Sequence, residues 1–117
     1  MEFKRSQRVA DLLHKEIADL VLRRVKDPRV TSLTVTSVRV SDDLKFARVF
    51  YCLMGKAADE EKQTALDGLN QARGFIRQEL GKRLHMRSVP QLSFQYDESL
   101  DYGDKIERLL KELKKDE

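Results

Sequence analysis

The sequence predicts an α+β domain in which helices cover one face of a three-stranded mixed sheet. Three observations point there. Two long stretches repeat apolar residues at spacings of three and four, two adjacent β-branched runs flank a short turn, and a third alternating run follows a long helical crossover. The flanking turn makes the first two strands an antiparallel hairpin, and the crossover makes the third strand parallel to a neighbour. At 117 residues and 13.6 kDa, with 40% hydrophobic and 37% charged residues, the chain supports one core and excludes a second full domain.

From Ser6 to Val25, residues Val9, Leu12, Leu13, Ile17, Leu20 and Val21 form the apolar stripe of an amphipathic helix. Pro28 disfavours helical geometry at Asp27, so that helix is expected to end near Lys26. Leu33–Val40 reads as a strand whose apolar phase slips between Leu33/Val35 and Val38/Val40, which predicts a bulge or burial on both faces. Ser41-Asp42-Asp43-Leu44 supplies turn chemistry, and Phe46–Leu53 completes the hairpin. Asp59-Glu60-Glu61 opens the next helix at its positive dipole end. Leu66, Leu69, Ala72, Ile76, Leu80 and Leu84 continue it, interrupted by Gly68, Gly74 and Gly81. A helix-interior glycine costs about 1 kcal/mol relative to Ala, so a kink is expected, placed at Ala72-Arg73-Gly74 with Gly68 and Gly81 as alternatives. Leu92-Ser93-Phe94-Gln95-Tyr96 alternates strictly and forms the third strand, with Phe94 and Tyr96 read as core. Asp104 and Glu107 resemble a capping box that opens a last helix carrying Ile106, Leu109, Leu110 and Leu113. The expected division is a domain over residues 1–104 and a C-terminal helix over 105–117, whose charged end is expected to fray.

No constellation for catalysis stands out. His14 and His85 are isolated, there is no metal-ligand spacing, and no phosphate-cradling glycine loop occurs, so neither metal, cofactor nor small-molecule substrate is expected. Cys52 sits in an apolar strand and reads as a buried, inert thiol; Asp42 and Asp43 read as backbone caps. With one cysteine, a charged start lacking the apolar segment of a signal peptide, and no transmembrane-length apolar run, the expectation is a cytoplasmic protein without a membrane partner.

Net charge is only +3, yet it is unevenly distributed. Residues 1–29 carry +3, residues 73–90 carry +4, and residues 91–104 carry −4. The second basic cluster comprises Arg73, Arg77, Lys82, Arg83 and Arg87; Lys4, Arg5 and Arg8 lie in the first. At a kink the following helix would present unbonded amides, Gly74 would let a phosphate backbone approach, and the arginines would flank it as an RNA track. The competing reading is a glycine at a tight corner beside a solvated charged face.

The residues so assembled resemble the bacterial ribosome-binding factor A family. The resemblance runs from Arg5 to about Ile106, through Arg5-Ser6-Gln7-Arg8-Val9, Asp27-Pro28-Arg29, Val35 to Leu44, Ala72-Arg73-Gly74-Phe75-Ile76-Arg77, Arg87 to Phe94 and Asp97-Glu98-Ser99. It implies a type II KH-like fold, of order α-β-β-α-kink-α-β with an extra C-terminal helix, in which Ala72, Arg73 and Gly74 replace the GxxG loop of ordinary KH domains. It also implies a monomeric, non-catalytic assembly factor that binds free immature 30S subunits through 16S rRNA, assists maturation of the 16S 5′ end and serves growth in the cold. On that basis Arg73 and Arg77 are expected to contact phosphate and Gly74 to admit the backbone. Lys82, Arg83 and Arg87 would give electrostatic support, and Lys4, Arg5 and Arg8 a second contact. Arg29 and Arg87 are equally open to a structural role, tied to Asp27 or Asp97. A stand-alone single-stranded RNA regulator, or a protein-binding module working through Ile106–Glu117, are the alternative functions.

Overall fold

The computed structural model describes residues 2–55 and 57–99, with the backbone alone for 2–4. Helix α1 spans Glu2–Arg23, a 3₁₀ turn Pro28–Val30, strand β1 Leu33–Val40, strand β2 Phe46–Leu53, helix α2 Asp59–Leu84 and strand β3 Gln91–Tyr96. The sheet runs β1-β2-β3, with β1 antiparallel and β3 parallel to the central β2. The mixed three-stranded sheet is therefore as expected, while the expected C-terminal helix and its Asp104/Glu107 cap lie outside the described residues.

Each element follows from its sequence with two revisions. Helix α1 ends three residues before Lys26, because the amides of Arg24 and Val25 both donate to the Leu20 carbonyl and close the last turn. Asp27 then caps the 3₁₀ turn, its carboxylate accepting from the Arg29 amide at 2.9 Å, with Pro28 in the first helical position. The bulge falls at Thr36: Val35 pairs with Tyr51 and Ser37 with Phe50, leaving one residue over. That extra residue returns Val38 to the inner face beside Leu33 and Val35.

The second revision concerns the kink. Helix α2 is one continuous segment of 26 residues that passes through Ala72-Arg73-Gly74 unbroken, so the two helices expected there are one. Its buried residues Ala65, Leu69, Ile76 and Leu80 lie within roughly a 60° arc at 100° per residue, so one phase serves both halves. Packing along that stripe outweighs the propensity cost of three glycines.

Residues Leu13, Ile17 and Leu20 of α1 meet this stripe and the inner sides of the strands, namely Val35, Val38, Ala47, Val49, Tyr51, Leu92 and Phe94. Tyr96 is half-buried, packed edge-on to Tyr51 at 5.6 Å. His14 reaches from α1 to the Val35 carbonyl, Nε2 to O 3.1 Å, a structural contact beside the bulge. Cys52, expected inside, is half-buried, because alternation puts it on the strand side away from Tyr51 and Leu53. Asp43 caps the hairpin turn as expected, accepting from the Ser41 hydroxyl at 2.6 Å and the Lys45 amide at 3.0 Å.

Candidate nucleic-acid interface

The C-terminal half of α2 and the segment that follows it carry the basic cluster, and the structure divides its members by what they touch. Arg73 is exposed and has neither hydrogen bond nor ion pair among the described residues. Arg77, one turn further on, is half-buried: its Nε donates to the Pro90 carbonyl at 3.2 Å and its Nη2 to the Val89 carbonyl at 2.9 Å. It thereby ties the segment before β3 to α2. Arg83 faces α1, donating from Nη1 to Glu16 at 3.0 Å and Asp19 at 2.8 Å. Those two carboxylates raise the pKa of the Arg83 guanidinium, chiefly through the Asp19 hydrogen bond. Lys82 and Arg87 are exposed and unpaired among the described residues.

The two arginines left open between structural and contact roles separate here. Arg29 is structural, pairing with Asp27 at 2.7 Å and donating to Gln71 of α2 at 3.0 Å. Arg87 is not bound to Asp97, which accepts instead from the Thr36 hydroxyl at 2.7 Å and from the Ser99 amide at 3.0 Å. In the first basic region Arg5 and Arg8 are exposed along α1, and the Lys4 side chain lies outside the described residues.

Gly74 stands at the centre of the concave surface. One depression of about 280 Å³ is lined by Arg73, Gly74, Arg77, Gln91 and Leu92. A second, of about 440 Å³, is lined by Gly74, Arg77, Gln78, Arg87, Ser88 and Val89. The two share Gly74 and Arg77 and together run between α2 and the β3 entry. A methyl group on Gly74 would meet no heavy atom within 4 Å, whereas one on Gly68 would lie 3.0 Å from Arg29 Cβ and Val30 Cγ1. The fold thus needs a small residue at position 68 and does not need one at position 74. Ala72 is half-buried against the core, so it belongs to the helix packing rather than to the open surface.

Because α2 is continuous, the amides at Arg73 and Gly74 belong to a helix interior and offer no exposed N-terminal dipole end. The surface can therefore attract an anion through side-chain charge and close approach over bare backbone. Among the described residues no group of three or more His, Cys, Asp or Glu side chains could hold a metal ion, and no helix is long and apolar enough to cross a membrane.

The family model for ribosome-binding factor A matches residues 5–110. The ribosome-binding factor A of Syntrophobacter fumaroxidans is 65% identical over 117 residues, covering 100% of both chains. The crystal structure of ribosome-binding factor A from Thermus thermophilus superposes with a TM-score of 0.68 at 26% identity, covering 78% of this chain and 93% of that one. A Thermus thermophilus ribosome-binding factor A homology model, fitted into a cryo-EM map of a 30S complex, matches at TM-score 0.61 and 28% identity over 74% of this chain and 88% of its own.

Proposed function

The chain belongs to the ribosome-binding factor A family, and from that premise we propose that it binds free, immature 30S subunits through 16S rRNA and assists late maturation, including that of the 16S 5′ end, without catalysing a reaction. The Thermus relative fitted in a 30S complex supports this reading. So does the exposed, fold-dispensable Gly74 between Arg73 and Arg87.

In this proposal Arg73, Lys82 and Arg87 contact phosphates, and Gly74 lets the rRNA backbone lie against α2. Arg77 holds the groove wall through Val89 and Pro90. Arg83 acts indirectly, fixing α2 against α1. Arg5 and Arg8 extend the positive surface along α1. Binding that favours one rRNA conformation shifts the RNA population by the difference in affinity, with no bond made or broken.

The test is co-sedimentation with gradient-separated ribosomal fractions. Wild type should travel with free small subunits in preference to assembled ribosomes, and Arg73→Glu/Lys82→Glu/Arg87→Glu should remain at the top of the gradient. Equal binding by that variant would refute the groove assignment. Tight, sequence-selective binding to short oligonucleotides without subunit preference would instead identify a stand-alone RNA regulator.

A further inference from the structure

The side of the sheet facing away from the helices has a composition that the fold leaves unexplained. Alternation places Ser37, Arg39, Phe46, Arg48, Phe50, Ser93 and the other β3 polar residues on it. Arg39 and Arg48 are direct cross-strand partners on adjacent antiparallel strands, and both are exposed. Like charges placed opposite one another destabilise a sheet. Neither arginine has a hydrogen bond or ion pair among the described residues; Arg39 lies over the Phe50 ring at 5.7 Å. Of the nearby carboxylates, Asp43 is engaged by Ser41 and Lys45, and Asp97 by Thr36 across the sheet. Asp42, exposed in the turn, bonds neither arginine.

Beside this pair Phe46 is 59% exposed, a large apolar ring open to solvent on the same face as the half-buried Phe50. A shallow depression of about 380 Å³ there is lined by Arg39, Val40, Ser41, Phe46, Ala47, Arg48 and Ser93. Two guanidinium groups unpaired among the described residues call for an anion, and an exposed ring two positions along β2 from Arg48 calls for a flat apolar partner. An unpaired nucleotide supplies both, its base for the ring and its phosphates for the arginines.

We propose that this outer face is a second RNA-contacting surface, which stacks an unpaired base on Phe46 and holds the adjoining phosphates at Arg39 and Arg48. It shares no arginine with the α2 groove, so the two assignments can fail separately. Uncharged Gln91, Ser93 and Gln95 sit in register with Phe46, Arg48 and Phe50 and give the strand hydrogen-bonding groups at the sheet edge.

The test is fluorescence anisotropy of the full chain with a labelled single-stranded oligoadenylate of about 12 nucleotides, within the usual span of such surfaces. Loss of one stacked base predicts that Phe46→Ala weakens binding by about 5-fold or more, while Phe46→Trp retains it. Arg39→Gln/Arg48→Gln should weaken binding and flatten the dependence of log affinity on log salt by about 1.4, for two single-strand phosphate contacts. Every substituted position is exposed, so all variants should fold, and Arg39→Gln/Arg48→Gln should melt no lower than wild type because the like-charge pair is relieved. Unchanged affinity in the outer-face variants would overturn the proposal, as would a full chain that does not bind the oligomer. Loss of binding in Arg73→Gln/Arg87→Gln alone would leave the groove reading intact and remove this one. If Phe46→Ala impaired co-sedimentation with subunits but not oligomer binding, the face would meet a protein, and the RNA assignment would fall.

Discussion

At the scale of single residues, the glycines of α2 show how the same residue type serves different ends. Gly68 lies under Val30, which is buried in the core and has little room to move. For Gly68→Ala the crowding cost exceeds the helix-propensity gain, and a net loss of about 1 kcal/mol in urea unfolding is expected. Gly74→Ala meets open space, so stability should rise by up to about 1 kcal/mol, while small-subunit binding falls because the added methyl stands where the RNA backbone approaches. The opposite signs of those two measurements distinguish a binding glycine from one that only accommodates the fold. Sequence could place both glycines but not rank them, since the atoms above Gly68 come from a turn some forty positions away. The arginines are alike in this respect. Arg73 and Arg77 are one turn apart, yet only the second is held by the Val89 and Pro90 carbonyls, which spacing within the helix does not reveal. Arg77→Ala should therefore destabilise by roughly 1–3 kcal/mol, at about 0.5–1.5 kcal/mol per hydrogen bond, and Arg73→Ala should leave the denaturation midpoint unchanged.

At the scale of elements, apolar periodicity makes the helices and strands legible in the sequence, while what interrupts them needs the tertiary contacts. The slip in apolar phase along β1 leaves a bulge and burial on both faces open, and the register selects the bulge; alternation in β3 separates Phe94 from its exposed neighbours. One helix stands where two are expected, because glycine propensity is local, whereas Leu69, Ile76 and Leu80 face a common core on both sides of Gly74. Alternation in β2 also carried the signal for Arg48 and Phe46; pairing with Arg39 became visible only with the register. Beside the apolar stripes that pack α1 on α2, Arg83 pairs with Glu16 and Asp19, a tie that periodicity does not reveal. The Arg83 hydrogen bond holds the Asp19 carboxyl below the usual Asp range, and Arg29 does the same at Asp27. A lowered folded-state pKa means that the unfolded chain binds protons first. The stabilisation is thus complete above about pH 4, the ordinary Asp value, and is lost as pH falls through the lower folded-state values. Thermal melts from neutral pH downward should show wild type losing stability below about pH 4. In Arg83→Gln that loss should be smaller, with a melting temperature already reduced at neutral pH.

For the whole molecule, a net charge of +3 conceals basic side chains that differ in availability. Arg29, Arg77 and Arg83 are spent within the fold, whereas Arg73 and Lys82 on α2, Arg87 in the segment that follows it, and Arg39 and Arg48 on the sheet remain open to solvent. Strand β3 is the edge that joins these regions: Gln91 lines the α2 depression and also stands in register with Phe46. One RNA strand could thus pass from the groove around the edge to the outer face. If both surfaces grip the same RNA, neutralising either set should remove its own counterion release, about 0.7–0.9 in log–log salt slope per phosphate contact. Combining Arg73→Gln/Lys82→Gln/Arg87→Gln with Arg39→Gln/Arg48→Gln should then subtract both amounts, because the sets share no partner residue. Small-subunit binding followed by pelleting over a salt series measures this directly. A five-site variant whose slope equals that of the groove variant would show that only the groove touches RNA in the bound state.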